Sequence, residues 1–180
     1  MTARPPERLE GEGVVLRRPT GADDAPLAAA IAASLDHLRP WMAWADDRAT
    51  TIEQRAEHRA RTDEGWSRGS DFAYLILDPA EATVLGAAGL HRRIGPRAIE
   101  IGYWVHVDHG RRGVATAAAR VATEAAVALE DVDRVEIHCD EANVRSAAVP
   151  RRLGYRLDRI EDDEVTAPGE IGRSMVWVIP

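Results

Sequence analysis

The feature that most constrains the fold of this chain is a run of small apolar residues after Gly113. Its apolar positions recur every three or four residues, which predicts an amphipathic α-helix of about four turns over 113–129. These positions are Val114, Ala117, Ala118, Val121, Ala122, Ala125, Ala128 and Leu129. Aromatic residues make up only 5% of the chain, so the core beside this helix must consist mainly of Ala, Val, Leu and Ile.

Shorter apolar runs predict strands on both sides of that helix. The predicted strands cover 14–18, 72–77, 83–91, 98–107, 134–139, 155–160 and 171–178. Helical spacing predicts further helices over 27–35, 51–64 and 144–153. A meander of strands followed by alternating strands and helices predicts an α+β fold, with helices packed on a mixed and mostly antiparallel sheet of about seven strands. Gly102, in the middle of the fourth predicted strand, suggests a bulge or a bend at that point.

Length and composition indicate one globular domain that spans 1–180. Apolar residues make up 45% of the chain and charged residues 29%, which excludes a disordered protein. The net charge of −7 argues against a nucleic-acid partner, since a basic face normally supplies the affinity for phosphates. We also expect no secretory signal and no membrane partner, because the chain lacks an apolar stretch of about 20 residues.

Cysteine usage is consistent with a cytoplasmic protein. Cys139 is the single cysteine and cannot form an intramolecular disulfide, which fits a reducing compartment. His138 and Cys139 are neighbours in a predicted strand, where successive side chains point to opposite faces. They are therefore poorly placed to bind one ion together, and we expect no metal.

The loop before the long helix is rich in glycine and arginine. It reads His109-Gly110-Arg111-Arg112-Gly113-Val114-Ala115-Thr116. Such a loop leaves backbone N–H groups unpaired at the positive end of the helix dipole, where they can bind phosphate oxygens. A solvated surface loop is the alternative interpretation of the same residues. The loop is neither a Walker motif nor a dinucleotide-binding fingerprint, because the lysine of the first and the third glycine of the second are missing.

Four segments in the correct order resemble the GNAT N-acetyltransferase superfamily, and its RimJ/RimL-like branch in particular. Residues 112–116 are similar to the second half of the family's acyl-CoA loop, Gln/Arg-x-x-Gly-x-Gly/Ala. Residues 34–42, the Asn143-x-x-Ser146 pattern and residues 152–155 resemble other segments of that branch. Gly110 departs from the pattern, because it stands where the family usually has Gln or Arg. The resemblance implies a GNAT-like sheet with helices on both faces.

The same resemblance implies a site for acetyl-CoA between two strands that separate. The pantetheine arm would pair with the backbone of one of them, as in strand addition, and Asn143 would face that arm. The pyrophosphate would lie on the backbone of the basic loop. The residues expected to bind this co-substrate are Trp104, Val105, His106, Val107, Arg111, Arg112, Gly113, Val114, Ala115, Thr116 and Asn143.

Glu100 is the residue that we expect to accept the proton of the attacking amine. It lies on a predicted central strand, where a carboxylate is costly to bury unless it is paired or functional. Strict alternation places Glu100, Gly102, Trp104 and His106 on one face. The alternative interpretation is a structural ion pair with Arg92 or Arg93.

Ser146 is the expected partner of the leaving thiolate, through a hydrogen bond or a relay from water. Its alternative role is local, as a residue near the start of a helix that bonds to that helix's backbone. Asn143 suits the cap of the same helix. Trp41 and Met42 lie where the family forms its acceptor groove, although core packing explains such side chains equally well.

The sequence therefore predicts an acyl-CoA-dependent N-acyltransferase that transfers acetyl from acetyl-CoA to a primary amine by direct attack. The acceptor is either a protein N-terminus, as in RimJ/RimL-type enzymes, or a small cationic amine. The acidic net charge favours a cationic acceptor, which suits both classes. The alternative is an acyl-CoA sensor without turnover, and a third interpretation is an interaction domain without a CoA site. Family members are often dimers, so a homodimer is a further expectation.

Overall fold

The structure, a computed structural model, describes residues 3–179. Within these residues the strands are β1 (Arg8–Gly11), β2 (Val14–Arg17), β3 (Asp71–Leu77), β4 (Val84–His91), β5 (Ala98–Val105), β6 (Arg134–Asp140), β7 (Arg156–Asp162) and β8 (Arg173–Ile179). The α-helices are α1 (Asp24–Leu38), α2 (Ile52–Arg68), α3 (Val114–Val127) and α4 (Val144–Arg152). None of these helices combines the length and the hydropathy that crossing a bilayer requires.

The strands form one sheet with the order β1-β2-β3-β4-β5-β6-β8-β7. Neighbouring strands are antiparallel except for β5 and β6, which are parallel. This confirms the predicted α+β fold with a mixed and mostly antiparallel sheet. The described residues contain one strand more than predicted, because β1 forms a hairpin with β2. Sequence patterning missed β1 because Leu9 is its one apolar side chain.

The core lies on both faces of the sheet. On one face, alternate residues of β5 such as Ile99 and Ile101 pack against α3 and its alanines. On the other face, Trp104 packs with residues of α1, including Ile31 and Leu38. The two clusters confirm the helices on both faces and the predicted alternation along β5. Glu100 therefore lies on the same side of the sheet as Trp104.

The predicted strand 98–107 ends two residues early, at Val105. The His106 N–H still donates to the carbonyl of Leu85 on β4, at 2.8 Å. A short 3₁₀ turn, Val107–His109, then begins, and the N–H of Val107 donates to the hydroxyl of Ser34 on α1 at 3.1 Å. The strand stops because α1 supplies a partner for this backbone group in place of a neighbouring strand.

The bulge predicted at Gly102 is absent, because this residue pairs in register with Gly89 of β4. The irregularity lies instead on β4, where Leu85 is an extra residue between the pairs that join β4 to β3. Gly86 has a φ of 156°, and an ideal Cβ there would lie 2.1 Å from the carbonyl oxygen of Trp104. A side chain at Gly86 would therefore separate β4 from β5.

Asp23 fixes the start of α1 through several hydrogen bonds. Arg17 donates two of them, each at 2.8 Å, to the two carboxylate oxygens. The N–H and hydroxyl of Thr20 also donate to Asp23, at 2.7 and 2.8 Å. The hydrogen bond from Arg17 lowers the pKa of Asp23 to about 2, against the opposing effect of burial and with help from Thr20.

We expect Asp23→Asn to lower the free energy of unfolding at pH 7 by about 2 kcal/mol, given ~1.4 kcal/mol for each unit of pKa shift. Because the pKa is lower in the folded state, this stabilisation is complete above about pH 4. It is lost as the pH falls towards the folded pKa of about 2. Urea unfolding of both proteins from pH 7 down to pH 3 measures the difference.

Asp36→Asn is the matched control, since it removes a fully exposed carboxylate from the same helix. Its free energy of unfolding should stay close to that of the wild type. An equal loss in the two variants would contradict the role of Asp23, and so would a loss that does not shrink on acidification.

Candidate active site

The central feature of the site is the separation of β5 and β6. The two strands pair at three positions, and the last pair is Glu100 with Glu136. Beyond it, β5 stays paired with β4 as far as Val105, and β6 stays paired with β8 as far as Asp140. Both strands thus keep their outer neighbours while the space between them opens.

The backbone of β5 directs hydrogen-bonding groups into this opening. Trp104 and His106 use theirs towards β4, as shown by the bond from His106 to Leu85. Because backbone groups alternate in direction along a strand, Tyr103 and Val105 face the side of β6. A ligand with amide groups can therefore extend the ladder at these two residues.

The basic loop lies at the start of α3, directly after this edge of β5. Arg111 and Gly113 both have positive φ, 61° and 80°, and such turns make concave groups of backbone N–H donors. The first bond of the helix runs from Ala117 to Gly113, and no N–H from 111 to 116 donates to another residue within 3–179. Arg111 and Arg112 are exposed and have no side-chain partner among the same residues. These donors can hold an anion.

A cleft of about 810 Å³ lies on the α1 side of the sheet and reaches the separated strands. Six of the predicted site residues line it, and they are Trp41, Met42, Glu100, Trp104, Asn143 and Ser146. Of the other predicted residues, Val105, His106, Val107 and 111–116 are not part of its lining among the described residues. Glu100 and Ser146, the predicted catalytic residues, therefore line the same cleft, and the predicted phosphate-binding loop lies outside it.

Glu100 is held by an arginine, which is the alternative that its sequence position left open. Arg93 donates to both carboxylate oxygens, at 2.7 and 2.6 Å. Arg92 instead binds Asp131 at 2.7 Å. Burial raises the pKa of Glu100, but the hydrogen bonds and charge of Arg93, with the charges of His138 and His91, outweigh burial and leave this pKa below its usual value. Glu100 is therefore an ionised carboxylate on the wall of the cleft.

Sequence reasoning missed a second acidic group beside Glu100. Glu136 is 1% exposed and lies opposite Glu100 in the last β5–β6 pair. His138 contacts one of its oxygens through Nε2 at 2.5 Å, and Arg134 contacts the other at 2.7 Å. The alternation Arg134, Glu136, His138 along β6 was the available signal, because it places all three on one face. His138 also lines the cleft, so its imidazole connects the cleft to a buried carboxylate.

Ser146 takes part in a small polar cluster at the start of α4. Its N–H donates to Oδ1 of Asn143 at 3.1 Å, so Asn143 caps this helix as predicted. The hydroxyl of Tyr103 donates to the Ser146 carbonyl at 3.3 Å and lies 3.5 Å from its hydroxyl. Burial raises the pKa of the nearby Cys139 thiol to about 11, although hydrogen bonds to Ser146 and Trp177 act against this. The cluster therefore offers neutral donors to an anion.

Within residues 3–179, no three His, Cys, Asp or Glu side chains are grouped so that they could hold an ion.

The loop between β7 and β8 closes one end of the cleft. Asp140, the last residue of β6, accepts hydrogen bonds from the N–H groups of residues 171–173 at 3.0–3.3 Å. On the other side, the N–H of Gly169 donates to the carbonyl of Pro40 at 2.8 Å. An ideal Cβ at Gly169 would lie 2.5 Å from that oxygen, so the close approach requires glycine. The last residues of the loop are thus attached at two points, to the end of β6 and to the segment that follows α1.

Comparison with solved structures finds the same fold in several acetyltransferases. RimJ of Mycobacterium smegmatis in complex with CoA-disulfide superposes with a TM-score of 0.88 at 20% identity, over 98% of this chain and 90% of that one. RimL, the ribosomal L7/L12 α-N-protein acetyltransferase in complex with coenzyme A, gives 0.86 at 20% identity, over 96% and 97%. The ribosomal-protein-S5-alanine acetyltransferase of Vibrio fischeri gives 0.84 at 18%, over 96% and 95%.

Sequence comparison identifies the family independently of the structure. Comparison with curated proteins found no match. The family described as acetyltransferase (GNAT) domain matches residues 14–156, which is most of the chain. The protein therefore belongs to the GNAT acetyltransferase family, as its loop and Asn-x-x-Ser motifs suggested.

Proposed function

We propose that this protein is an acetyl-CoA-dependent N-acetyltransferase that acts on a primary amine. The observation that carries the proposal is the opening between β5 and β6, which lies between a loop of free N–H donors and a cleft with ionisable side chains. A thioester donor and an amine acceptor can therefore approach each other from the two sides of the sheet.

Two parts of coenzyme A, its pyrophosphate and its pantetheine arm, have matching groups on this chain. The free N–H groups of residues 111–116 and the charges of Arg111 and Arg112 suit a pyrophosphate. The backbone of Tyr103 and Val105 suits the amides of a pantetheine arm. Of the four positions expected from the sequence, 104–107, Val105 is therefore the one that would pair with the arm. The backbone of Trp104 pairs with β4, and the N–H groups of His106 and Val107 have partners elsewhere.

The donor supplies an activated thioester carbonyl, and the residues of the cleft manage two protons. Glu100, ionised at neutral pH, accepts a proton from the incoming amine through water. His138 lies beside it and can pass the proton to Glu136, its buried neighbour. Ser146, whose carbonyl accepts a hydrogen bond from the Tyr103 hydroxyl, donates a hydrogen bond through its own hydroxyl to the developing thiolate. The nitrogen then forms the new C–N bond as the C–S bond breaks, and its second proton leaves with CoA as the thiol. The transfer is direct, in a ternary complex without a covalent enzyme intermediate.

The acceptor is an amine on a protein N-terminus or on a small molecule. The names of the RimL and Vibrio fischeri neighbours describe enzymes that acetylate ribosomal proteins, which supports the first class. Such an acceptor would place the enzyme in the cytoplasm. Trp41 and Met42 line the cleft on the acceptor side and would contact the acceptor there. The rival function, an acyl-CoA sensor, predicts binding of the donor without turnover of any amine.

Calorimetric titration with acetyl-CoA tests the donor site. We expect micromolar binding to the wild type and no measurable binding to Gly113→Glu, because the added carboxylate would occupy the loop and repel the pyrophosphate. ATP titrated in parallel should bind far more weakly than acetyl-CoA.

Gly154→Glu is the matched control for backbone strain. Gly154 has a φ of 82°, close to the 80° of Gly113, and both positions have open space where a Cβ would lie. This variant should retain wild-type affinity for acetyl-CoA. Loss of affinity in both variants would show that strain and not the loop explains the effect, and no binding to the wild type would overturn the proposal.

Replacement of Glu100 tests the proton acceptor. We expect Glu100→Gln to reduce turnover at neutral pH by roughly 10². His138→Gln should cause a smaller loss, because the imidazole only relays the proton. Release of free CoA, followed as thiol with any amine that turns over, gives the rate and its pH profile.

The Arg93→Gln variant distinguishes a catalytic role of Glu100 from a purely structural one. Removing Arg93 takes away the strongest influence that lowers the pKa of Glu100, so this pKa should rise. The acidic limb of the pH–rate profile should then move to higher pH, while the rate above that limb stays close to the wild type. Equal and pH-independent losses in Arg93→Gln and Glu100→Gln would return Glu100 to a structural ion pair.

A further inference from the structure

Arg55 on α2 is a buried cation that lines the cleft without a partner. The residue is 8% exposed, and its Nε is fully buried with no hydrogen-bond acceptor. Its guanidinium makes no hydrogen bond or ion pair with any residue in the described range 3–179. Arg59, one turn further along α2, shows the usual arrangement, since Asp24 holds it at 3.0 Å.

This state of Arg55 is unfavourable in the free protein. Burial lowers the pKa of Arg55, and repulsion from Arg61 adds to that effect. Asp24 and Asp46 act in the opposite direction, but both are engaged elsewhere. Asp24 binds Arg59, and Asp46 accepts the N–H of Ala49 at 2.9 Å. A buried guanidinium without an anion costs free energy, which a bound anion would recover.

Two acidic side chains that line the same cleft are already paired. Glu100 is bound by Arg93, and Asp71 is bound by His91 at 3.0 Å. His58, next to Arg55 on α2, has a lowered pKa because of burial and the charges of Arg55 and Arg61. The α2 wall therefore carries an excess of positive charge that faces the cleft.

We propose that Arg55 binds a carboxylate of the acceptor, so that the enzyme acts on amines that carry an acidic group in the same molecule. This inference rests on the proposed acetyltransferase function and specifies its substrate class. For a protein N-terminus, the acidic group is an Asp or Glu side chain near the terminal amine. Guanidinium binds a carboxylate in a fork of two parallel hydrogen bonds, which gives orientation as well as affinity.

The inference refines the expectation of a cationic acceptor that came from the net charge. Net charge describes the average field around the protein and not the field inside one cleft. The amine that reacts at Glu100 is itself cationic before it loses its proton. An acceptor that suits both Glu100 and Arg55 is thus a zwitterion, with its amine near Glu100 and its carboxylate near Arg55.

Paired peptide acceptors test this directly. Peptides with a free N-terminal serine carry either Asp or Asn at position 2, 3 or 4, and the release of CoA gives kcat/KM for each. We expect the wild type to prefer the Asp member of the best pair at least tenfold. Arg55→Gln should bring that ratio close to one by slowing the Asp peptide alone, and Arg55→Lys should keep part of it.

Arg68→Gln is the matched control. Arg68 lies at the end of the same helix, is 70% exposed and pairs with Glu64, so the variant removes an equal charge outside the cleft. It should keep the full preference for the Asp peptide. A preference lost equally in both variants would show a general effect of charge and would overturn the role of Arg55.

Binding of product-like peptides tests the subsite without turnover. The same peptides with an acetylated N-terminus are titrated calorimetrically into protein saturated with CoA, and the Asp member should bind at least tenfold tighter than the Asn member. Equal affinities at every position would overturn the inference, even if acetyl-CoA binding and amine turnover support the enzyme. Failure of acetyl-CoA to bind would instead overturn the proposed function. Circular dichroism of Arg55→Gln should show the wild-type fold, since the removed group has no partner to lose.

Discussion

The arrangement of the whole site depends on one break in a hydrogen-bonded ladder, after the pair Glu100–Glu136. A central strand edge without a neighbour is normally costly, since its backbone groups lose their partners. Here both strands keep their outer neighbours, and β4 approaches β5 closely at Gly86. Each strand thus keeps the backbone hydrogen bonds to its outer neighbour, while the opening between β5 and β6 remains. A ligand with amide groups beside Tyr103 and Val105 would supply the backbone partners that β5 lacks on this side.

The opening between β5 and β6 would be unstable without the ion pairs around it. Two carboxylates stand side by side at its base, and their repulsion would oppose burial. Arg93 binds one of them, while His138 and Arg134 bind the other. These ion pairs explain how charged side chains can line a cleft against a sheet whose core is otherwise apolar. Arg55 on α2 differs from these residues, because it is a buried charge without a partner among the described residues. Such a charge points to a ligand more strongly than an isolated surface charge does.

Much of the fold was predictable because it depends on local periodicity. The alanine face of α3 and the alternation along β5 follow from spacing alone, and both agree with the structure. β1 was not predictable in this way, since it has one apolar side chain and depends on its hairpin partner. Gly102 was misread because a glycine in a strand marks close packing as often as a bulge, and the neighbouring strand decides which.

The site was predictable in part, for a related reason. Glu100, Ser146 and Asn143 could be selected as chemical groups from motifs and alternation, and the structure places all three on the cleft. Their partners depend on register between distant segments, which no local pattern contains. The hydroxyl of Tyr103 beside Ser146 and the imidazole of His138 beside Glu136 are examples. Arg55 lay hidden in a helix with many charged residues, because only burial separates it from the solvated ones.

The attachment of the loop between β7 and β8 has a consequence for how such a protein can change over time. Asp140 holds the end of that loop through three backbone amides, and backbone atoms do not depend on which side chains the loop carries. The contact between Gly169 and Pro40 is likewise made by the backbone. Both anchors lie in the last residues of the loop, so substitutions at residues 163–166, which precede them, can accumulate without loosening either anchor. The sequence of this loop could therefore change, and with it the acceptor that the cleft accommodates, while the residues that would bind the donor stay the same.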